Sequence, residues 1–466
     1  MLVILGTLMV LTFMYLIISK RTTPAVALIL VPVAFGLFAG AGLDIGDMIT
    51  DGVKSLAPTA ALLFFAIIFF GVMIDVGLFD PLVRLILRGV RDDPMRLVVG
   101  TAILAMVVSL DGDWSTTFII VTSALLPLYL KLGVSPVVLT VVAGLANGTT
   151  NILPWGGPTV RAASALGVSA SDVFVPMVPS MVVGLLLVLG FAYHLGIVER
   201  RRIGTLELSP SGAGSRRVRD TVTGGPTGSG SGGGVQHEEQ EEQEGDTLVA
   251  SGSLDPERDT LRPKLLWFNA ILTVVLLTVL ILDVLPIHVL FMVAAAIALV
   301  VNFPQIEHQS AAISRHSSSI VSVVAMVLAA AVLTGVFQGT GMVEAMADGL
   351  LKIIPDSMGP YLAVITGVLS IPLTFFMTND AFYFGILPVL TETASSYGIE
   401  PVEMARASIT GQPVHLQSPL VPAILLLVTL AGVQLADHHR KVLWRATLVS
   451  LAMLAVGVVL GAIPFG

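Results

Sequence analysis

The stretch Asn147–Pro158, NGTTNILPWGGP, interrupts a segment that is otherwise apolar enough to cross a membrane. The apolar run 137–146 before it would span only about 15 Å as a helix, half of a bilayer core. Pro154 and Pro158 bracket Trp155-Gly156-Gly157 and remove backbone donors. Non-helical backbone at that depth survives only beside a polar cavity, as in the broken helices that hold ionic substrates in many secondary transporters. The stretch therefore predicts a broken helix at a binding site.

The composition is that of a membrane protein with several crossings. Hydrophobic residues make up 55% of the 466, mean hydropathy is +0.91, and only 12% of residues are charged. Soluble domains have about twice that charged fraction. The chain has no cysteine, which excludes disulfides, thiol catalysis and thiolate metal sites. We expect a lipid bilayer around the chain and no nucleic-acid partner.

Apolar runs predict five membrane crossings in each half of the chain, plus one hairpin that enters and leaves on the same side. The first hairpin, 96–130, is interrupted at Asp111-Gly112-Asp113, and the second, 360–391, at Thr378-Asn379-Asp380. The predicted crossings are 2–19, 24–41, 57–79, 136–166 and 173–195, then 265–283, 286–303, 319–341, 402–430 and 442–464. The fourth crossing of each half is broken.

A polar segment separates the two halves. Residues 199–264 carry three consecutive arginines, a Gly/Ser tract and the acidic run HEEQEEQE, a composition that predicts a flexible, solvated linker. The domain organisation is therefore a first membrane repeat at 1–198, a linker at 199–264 and a second membrane repeat at 265–466.

The halves are related at a nearly constant offset. At 265 residues, seven positions are identical, most of them Gly or Pro: Gly133, Pro136, Val137, Pro154, Gly167, Val168 and Asp172 match Gly398, Pro401, Val402, Pro419, Gly432, Val433 and Asp437. An odd number of crossings per half inverts the second half. An amino terminus outside the cell puts most Lys and Arg residues, with the linker, in the cytoplasm. The predicted fold is an all-α polytopic membrane protein of two inverted-topology repeats, in the cell inner membrane.

Two polar groups of residues would face each other near the midplane of this fold. Three carboxylates, Asp111, Asp113 and Asp380, could ligate a metal or carry a proton. Amides, hydroxyls and an imidazole could hold substrate carboxylates; these are Asn147, Thr149, Thr150, Asn151, Asn379, Gln412, His415, Gln417 and Ser418. Backbone geometry at the breaks would be set by Pro154, Gly156, Gly157, Pro158, Pro413 and Pro419.

Structural interpretations of the same residues remain open at this point. An Asp between two helices is often only a helix cap. His415 could be a buried histidine of the helix bundle, and Arg161 could extend its guanidinium to the membrane surface.

Four strings resemble the motifs of the citrate–divalent metal:proton symporter family, in the ion transporter superfamily. They are SLDGDWSTTF (109–118), NILPWGGPTVRAASALG (151–167), MTNDAFYFGILPV (377–389) and GQPVHLQSPLVPA (411–423). The resemblance covers nearly the whole chain except the linker. It implies proton-driven uptake of citrate complexed with Mg²⁺ or Ca²⁺, a metal carried with the substrate and no prosthetic group. By analogy with the superfamily, it also implies a homodimer with a moving transport domain.

The predicted function is symport of a metal–citrate complex with protons into the cell. Complexation removes most of the charge of the acid, so acidic and neutral polar groups suit the complex better than free citrate, which would need a basic pocket. Two other transport functions use the same architecture: a Na⁺-coupled di- or tricarboxylate carrier and a cation/proton antiporter. A membrane-embedded aspartyl protease using Asp113 and Asp380 is a remote alternative, and we expect no enzyme.

Overall fold

A computed structural model describes residues 1–19, 21–90, 93–112, 114–207, 258–282 and 284–466. All regular secondary structure in those ranges is helical, which confirms the predicted all-α class. The helices before residue 208 are α1 (Leu2–Ile18), α2 (Pro24–Phe38), α3 (Ile45–Asp75), α4 (Asp80–Val90), α5 (Pro94–Val108), α6 (Trp114–Lys131), α7 (Pro136–Thr150), α8 (Gly157–Leu166), α9 (Ala170–Phe174) and α10 (Val178–Glu207).

Eleven further α-helices lie in the described residues after residue 257. They are α11 (Leu266–Ile281), α12 (Ile287–Asn302), α13 (Ile306–Arg315), α14 (Ser317–Gly339), α15 (Met342–Leu351), α16 (Leu362–Phe376), α17 (Leu387–Ser395), α18 (Pro401–Ser408), α19 (Gln412–His415), α20 (Pro422–Leu430) and α21 (Leu435–Val459). A π-helical turn, Ala381–Ile386, precedes α17.

Within the described ranges, eight helical segments are long and apolar enough to cross a membrane. They are Gly42–Asp75, Pro94–Asp111, Trp114–Lys131, Ala170–Ile203, Pro263–Leu280, Ser317–Gly339, Asp356–Phe376 and Leu435–Val459. Four shorter apolar helices are α1, α2, α7 and α12. The chain is therefore a multi-pass membrane protein. Both arms of the first predicted hairpin are among the eight, so its re-entrant path and the five crossings per half stay predictions.

Close backbone contact joins α3 to α14. A Cβ added at Gly52 would lie 2.2 Å from the carbonyl oxygen of Ala331, and one added at Gly335 would lie 2.2 Å from that of Met48. Glycine is needed at both positions because small residues let membrane helices approach to backbone contact. Gly71, the counterpart of Gly335 at an offset of 264, packs against the ring of His316, the residue directly before α14. The inverted relation of the halves stays a prediction.

Ordered structure extends into both ends of the predicted linker. Helix α10 continues to Glu207, and its Arg200 donates to Oδ2 of Asp93 over 2.8 Å. At the other end, Nε of Arg258 and Oγ1 of Thr260 donate to the carbonyl oxygen of Asp75 at 3.0 and 2.8 Å. Residues 208–257, the remainder of the predicted linker, lie outside the described residues. The domain boundaries stay a prediction.

Candidate substrate site between two broken helices

The first predicted break is present. Helix α7 ends at Thr150 and α8 begins at Gly157. Gly156 is extended, with φ −68° and ψ 140°, and a Cβ there would lie 2.2 Å from the carbonyl oxygen of Asn151. Pro158 sits in the first turn of α8, where its missing N–H is tolerated. The unwound part is thus 151–156, shorter than the stretch expected from sequence, because α7 continues through Asn147 and Thr150.

The second break follows the short helix α19, which ends at His415, and the chain becomes helical again at Pro422. Pro413 occupies the first turn of α19, and Pro419 lies in the unwound part. Ser418 stabilises this part because its Oγ donates to the carbonyl oxygen of Phe375 at 2.6 Å and accepts from the N–H of Leu420 at 3.2 Å. Both unwound parts therefore place polar side chains, such as those of Asn151 and Ser418, in the buried interior.

A chain of buried side-chain amides joins the two broken helices. Nδ2 of Asn151, from the first break, donates to Oε1 of Gln412, from the second, at 3.4 Å. Nε2 of Gln412 donates to Oδ1 of Asn379 at 3.2 Å and to the hydroxyl of Tyr383 at 2.9 Å. Nε1 of Trp114 donates to Oδ1 of Asn151 at 2.7 Å. We call Trp114, Asn151, Asn379, Tyr383 and Gln412 the amide network; it connects residues of both predicted hairpins to residues of both broken segments.

An ion pair lies beside the amide network. Nε of Arg161, on α8, donates to Oδ1 of Asp380 at 2.6 Å, and Nη1 donates to the carbonyl oxygen of Gly157 at 3.1 Å. The side chain of Asp380 is 10% exposed and that of Arg161 is 26% exposed. Asp380 directly precedes the π-helical turn, a feature often found at functional sites. The guanidinium of Arg161 is thus bound to a carboxylate of the other half.

One other predicted carboxylate, that of Asp111, lies between the two arms of the first predicted hairpin. Asp111 is buried in the 3₁₀ turn Ser109–Asp111, and the preceding carbonyl, that of Leu110, accepts a hydrogen bond from Nε1 of Trp155 at 2.8 Å. Asp113 lies outside the described residues. In the described ranges, no group of three or more His, Asp or Glu side chains is placed to hold a metal.

Asn147 supplies a further amide at the last turn of α7. The residue is 2% exposed, and its Nδ2 has no hydrogen-bond partner among the described residues. A buried amide N–H without a partner costs about 1–3 kcal/mol. Such a group is a donor available to a bound carboxylate.

Four predicted residues make other contacts. Thr149 and Thr150 donate to carbonyl oxygens of their own helix, at Leu145 (2.7 Å) and Ala146 (3.1 Å). Nε2 of Gln417 donates to the carbonyl oxygen of Gly144 at 3.1 Å, away from the amide network. His415 uses Nδ1 to donate to the carbonyl oxygen of Thr374 at 2.5 Å, while its ring lies 6.2 Å from that of Trp114.

Three residues of this site were not predicted from sequence. Trp114 directly follows Asp113, and Tyr383 follows Asp380 by three positions, so the sequence placed both near the predicted hairpin tips. It did not indicate their hydrogen bonds. Arg161 carried a clearer signal, since a charged side chain in an apolar segment usually pairs with another.

Comparisons with known proteins found a family and relatives that match most of this chain. A profile of the citrate transporter family, CitMHS, matches residues 7–411. A protein of Bacillus subtilis (strain 168) described as a citrate transporter is 46% identical over 466 residues, covering 100% of both chains. Another from that organism, described as a Mg(2+)/citrate complex secondary transporter, is 44% identical over 464 residues, covering 99% of both.

One similar solved structure is the YdaH transporter of Alcanivorax borkumensis, with 14% identity, a TM-score of 0.48, and coverage of 90% of this chain and 88% of that one. The family and the two Bacillus relatives are transporters and not enzymes, which removes the protease alternative. The resemblance found in the four sequence motifs is confirmed: the chain belongs to the CitMHS family of citrate transporters.

Proposed function

We propose that this protein is a secondary active transporter that carries citrate, complexed with Mg²⁺ or Ca²⁺, into the cell together with protons. The observation that carries the proposal is the amide network, which joins both broken helices and both hairpins by buried hydrogen bonds. The relative described as a Mg(2+)/citrate complex secondary transporter supports the choice of substrate.

The chemistry of the site suits an acid whose charge is mostly neutralised. The amide network offers neutral donors and acceptors, and Nδ2 of Asn147 adds a donor. The guanidinium of Arg161 is engaged by Asp380. Free citrate would need several unpaired cations, whereas a metal–citrate complex needs hydrogen-bond donors for its carboxylates and few charges. The metal is thus cargo, with Asp380, Asp111 and Asp113 as carboxylates that could approach it.

The ion pair suggests how protons are coupled to substrate. Protonation of Asp380 removes the charge that holds Arg161, so the guanidinium can turn to a carboxylate of the complex. Conversely, a bound carboxylate on Arg161 makes protonation of Asp380 easier. Each ligand then raises the affinity for the other, which is the reciprocal coupling that symport requires.

Movement of the site between the two membrane faces follows from the proposed repeats. The hairpins and broken helices would move together as a transport domain, in a homodimer in the cell inner membrane. The amino terminus would lie outside and residues 199–264 in the cytoplasm, as the distribution of Lys and Arg predicts.

The test is uptake of labelled citrate into proteoliposomes that contain the purified protein, with an inward proton gradient and no Na⁺. We expect accumulation with Mg²⁺ or Ca²⁺, and loss of accumulation after chelation with EDTA or after collapse of the proton gradient. Uptake that requires Na⁺ and persists with EDTA would instead identify a Na⁺-coupled carrier of the free acid. Metal-driven proton release without citrate movement would identify an antiporter.

A further inference from the structure

A polar cavity that includes no residue of the amide network lies between parts of three helices. Its volume is about 670 Å³, and it is bounded by the amino-terminal turn of α7, the carboxyl-terminal part of α10 and the first part of α21. Its basic lining residues are Arg440, Lys441 and Arg445 on α21 and the titratable His194 on α10. We call this space the basic cleft.

Arg445 is the most unusual residue of the basic cleft. It is only 7% exposed, its Nε has no hydrogen-bond partner, and its Nη1 donates to the carbonyl oxygen of Lys441. Among the described residues, no carboxylate oxygen lies within 4.0 Å of this guanidinium. Besides that carbonyl oxygen, the guanidinium faces two aromatic rings, with its carbon 4.2 Å from the ring centroid of Trp444 and 5.8 Å from that of Phe191. A buried arginine normally has a carboxylate or phosphate partner.

The carboxylates of the basic cleft do not cancel its positive charge. Oε2 of Glu199 is held by Arg202 at 2.6 Å and also accepts the N–H of Ser135 at 3.1 Å. Asp437 is exposed in the first turn of α21, where a carboxylate stabilises the helix terminus. Arg440, Lys441 and Arg445 therefore leave an excess of positive charge beside the cavity.

The surroundings of the basic cleft are those of a membrane surface. Trp444 is 49% exposed and Tyr193 is 53% exposed, next to apolar Val198 and Leu448, which are also exposed. Exposed Trp and Tyr at the ends of membrane helices lie at the level of lipid headgroups. The same end of α10 carries Arg200, which pairs with Asp93. Because the segment that begins at residue 199 is predicted to be cytoplasmic, this face is the predicted cytoplasmic one. Basic pockets between membrane helices on that face bind anionic headgroups.

We propose that the basic cleft binds the headgroup of an anionic phospholipid, with Arg440, Lys441 and the guanidinium of Arg445 around its phosphodiester. The acyl chains would lie along the exposed apolar residues beside Trp444. The site is separate from the amide network, but α21 connects it to the second broken segment, since Nε2 of His438 donates to Oε1 of Gln417 at 3.0 Å. A bound lipid would therefore hold the helix that supports the second break.

The test is a titration of the purified, detergent-solubilised protein with phosphatidylglycerol or phosphatidylcholine, followed by native mass spectrometry that counts bound lipids. We expect one phosphatidylglycerol bound in preference to phosphatidylcholine. The variant Arg440→Gln/Lys441→Gln should weaken that binding by roughly tenfold or more. Arg445→Gln should do the same; because Arg445 is buried and could be needed for folding, the first variant carries the test alone if the second does not fold.

The matched control is Arg84→Gln/Arg88→Gln on α4, an amphipathic helix on the same predicted face, where both arginines are exposed. It removes the same charge outside the basic cleft and should leave the binding within twofold of wild type. An equal loss in both double variants would overturn the proposal, since general attraction to the face would explain it. Tight binding of inorganic phosphate to lipid-free protein, without preference for phosphatidylglycerol, would assign the cleft to a soluble anion and also overturn it.

Discussion

Gly148 and Pro413, which are counterparts at an offset of 265, lie directly against each other: a Cβ added at Gly148 would be 3.0 Å from Cα of Pro413. In an inverted repeat, equivalent positions meet where the pseudo-twofold axis passes between them. The contact therefore supports the proposed inverted repeats. It also fixes how closely the two broken helices approach, since any side chain at residue 148 would separate them.

Replacing Gly148 with Val tests this contact. The added methyl groups have no space, which costs about 1–3 kcal/mol and moves the broken helices apart. We expect citrate uptake to fall at least tenfold at equal membrane expression. The control is Gly190→Val on α10, where an added Cβ meets nothing within 4 Å. Equal uptake by Gly148→Val and wild type would mean that the contact has no role in transport.

Gln412→Leu tests the amide network. The substitution leaves the side chains of Asn151, Asn379 and Tyr383 without their common partner, at about 1–3 kcal/mol for each group left unpaired. We expect the apparent affinity for citrate in the presence of Mg²⁺ to weaken by about tenfold to a hundredfold. Gln338→Leu, at an exposed position of α14, makes the same chemical change outside the site and should have no effect. The measurement is initial uptake rate against citrate concentration.

Asp380→Asn tests the coupling role of the ion pair with Arg161. The amide cannot carry a proton, so we expect exchange of citrate across the membrane to continue while accumulation driven by a proton gradient fails. The measurements are counterflow and pH-gradient-driven uptake in the same proteoliposomes. Asp51→Asn breaks the exposed Asp51–Lys54 pair of 3.0 Å and should behave as wild type. Proton-driven accumulation by Asp380→Asn would show that another group carries the proton.

The predicted linker should be removable except at its end. Deletion of 212–253 retains Arg258, whose Nη2 lies 3.1 Å from both carboxylate oxygens of Asp80 and whose side chain is 8% exposed. We expect this deletion to leave uptake and melting temperature nearly unchanged. Arg258→Ala in the full chain should lower the melting temperature, since loss of one partner of a buried ion pair costs about 3–5 kcal/mol. A larger loss of melting temperature in the deletion variant than in Arg258→Ala would contradict this division of the segment.

Sequence predicted the breaks well because Pro and Gly act on the local backbone. Pro154 and Pro419 lie in the unwound parts of both broken segments, at 151–156 and 416–421. The local sequence could not decide whether Asn147, Thr149 and Thr150 lie in the break or in the helix before it. A helix tolerates threonine when its hydroxyl donates to a carbonyl oxygen one turn earlier, as both threonines do.

Contacts between distant residues were the part that sequence could not supply. Arg161 and Asp380 are 219 positions apart, and each was interpreted separately. Gln412 and Gln417 were both predicted to hold substrate carboxylates through their amides, yet Gln417 contacts Gly144 and His438. The difference arises from helical geometry: residues five apart in a turn-rich segment point in different directions, and only the packing of α7 and α21 around it decides their partners.

The attachment of Arg258 and Thr260 to the end of α3 gives the chain an order of assembly. Both residues come after the segment 208–257 but bind the carbonyl oxygen of Asp75, which is synthesised much earlier. When the later half leaves the ribosome, the helix end that its first residues bind has thus already been synthesised. The contact can therefore form before the rest of the later half is complete.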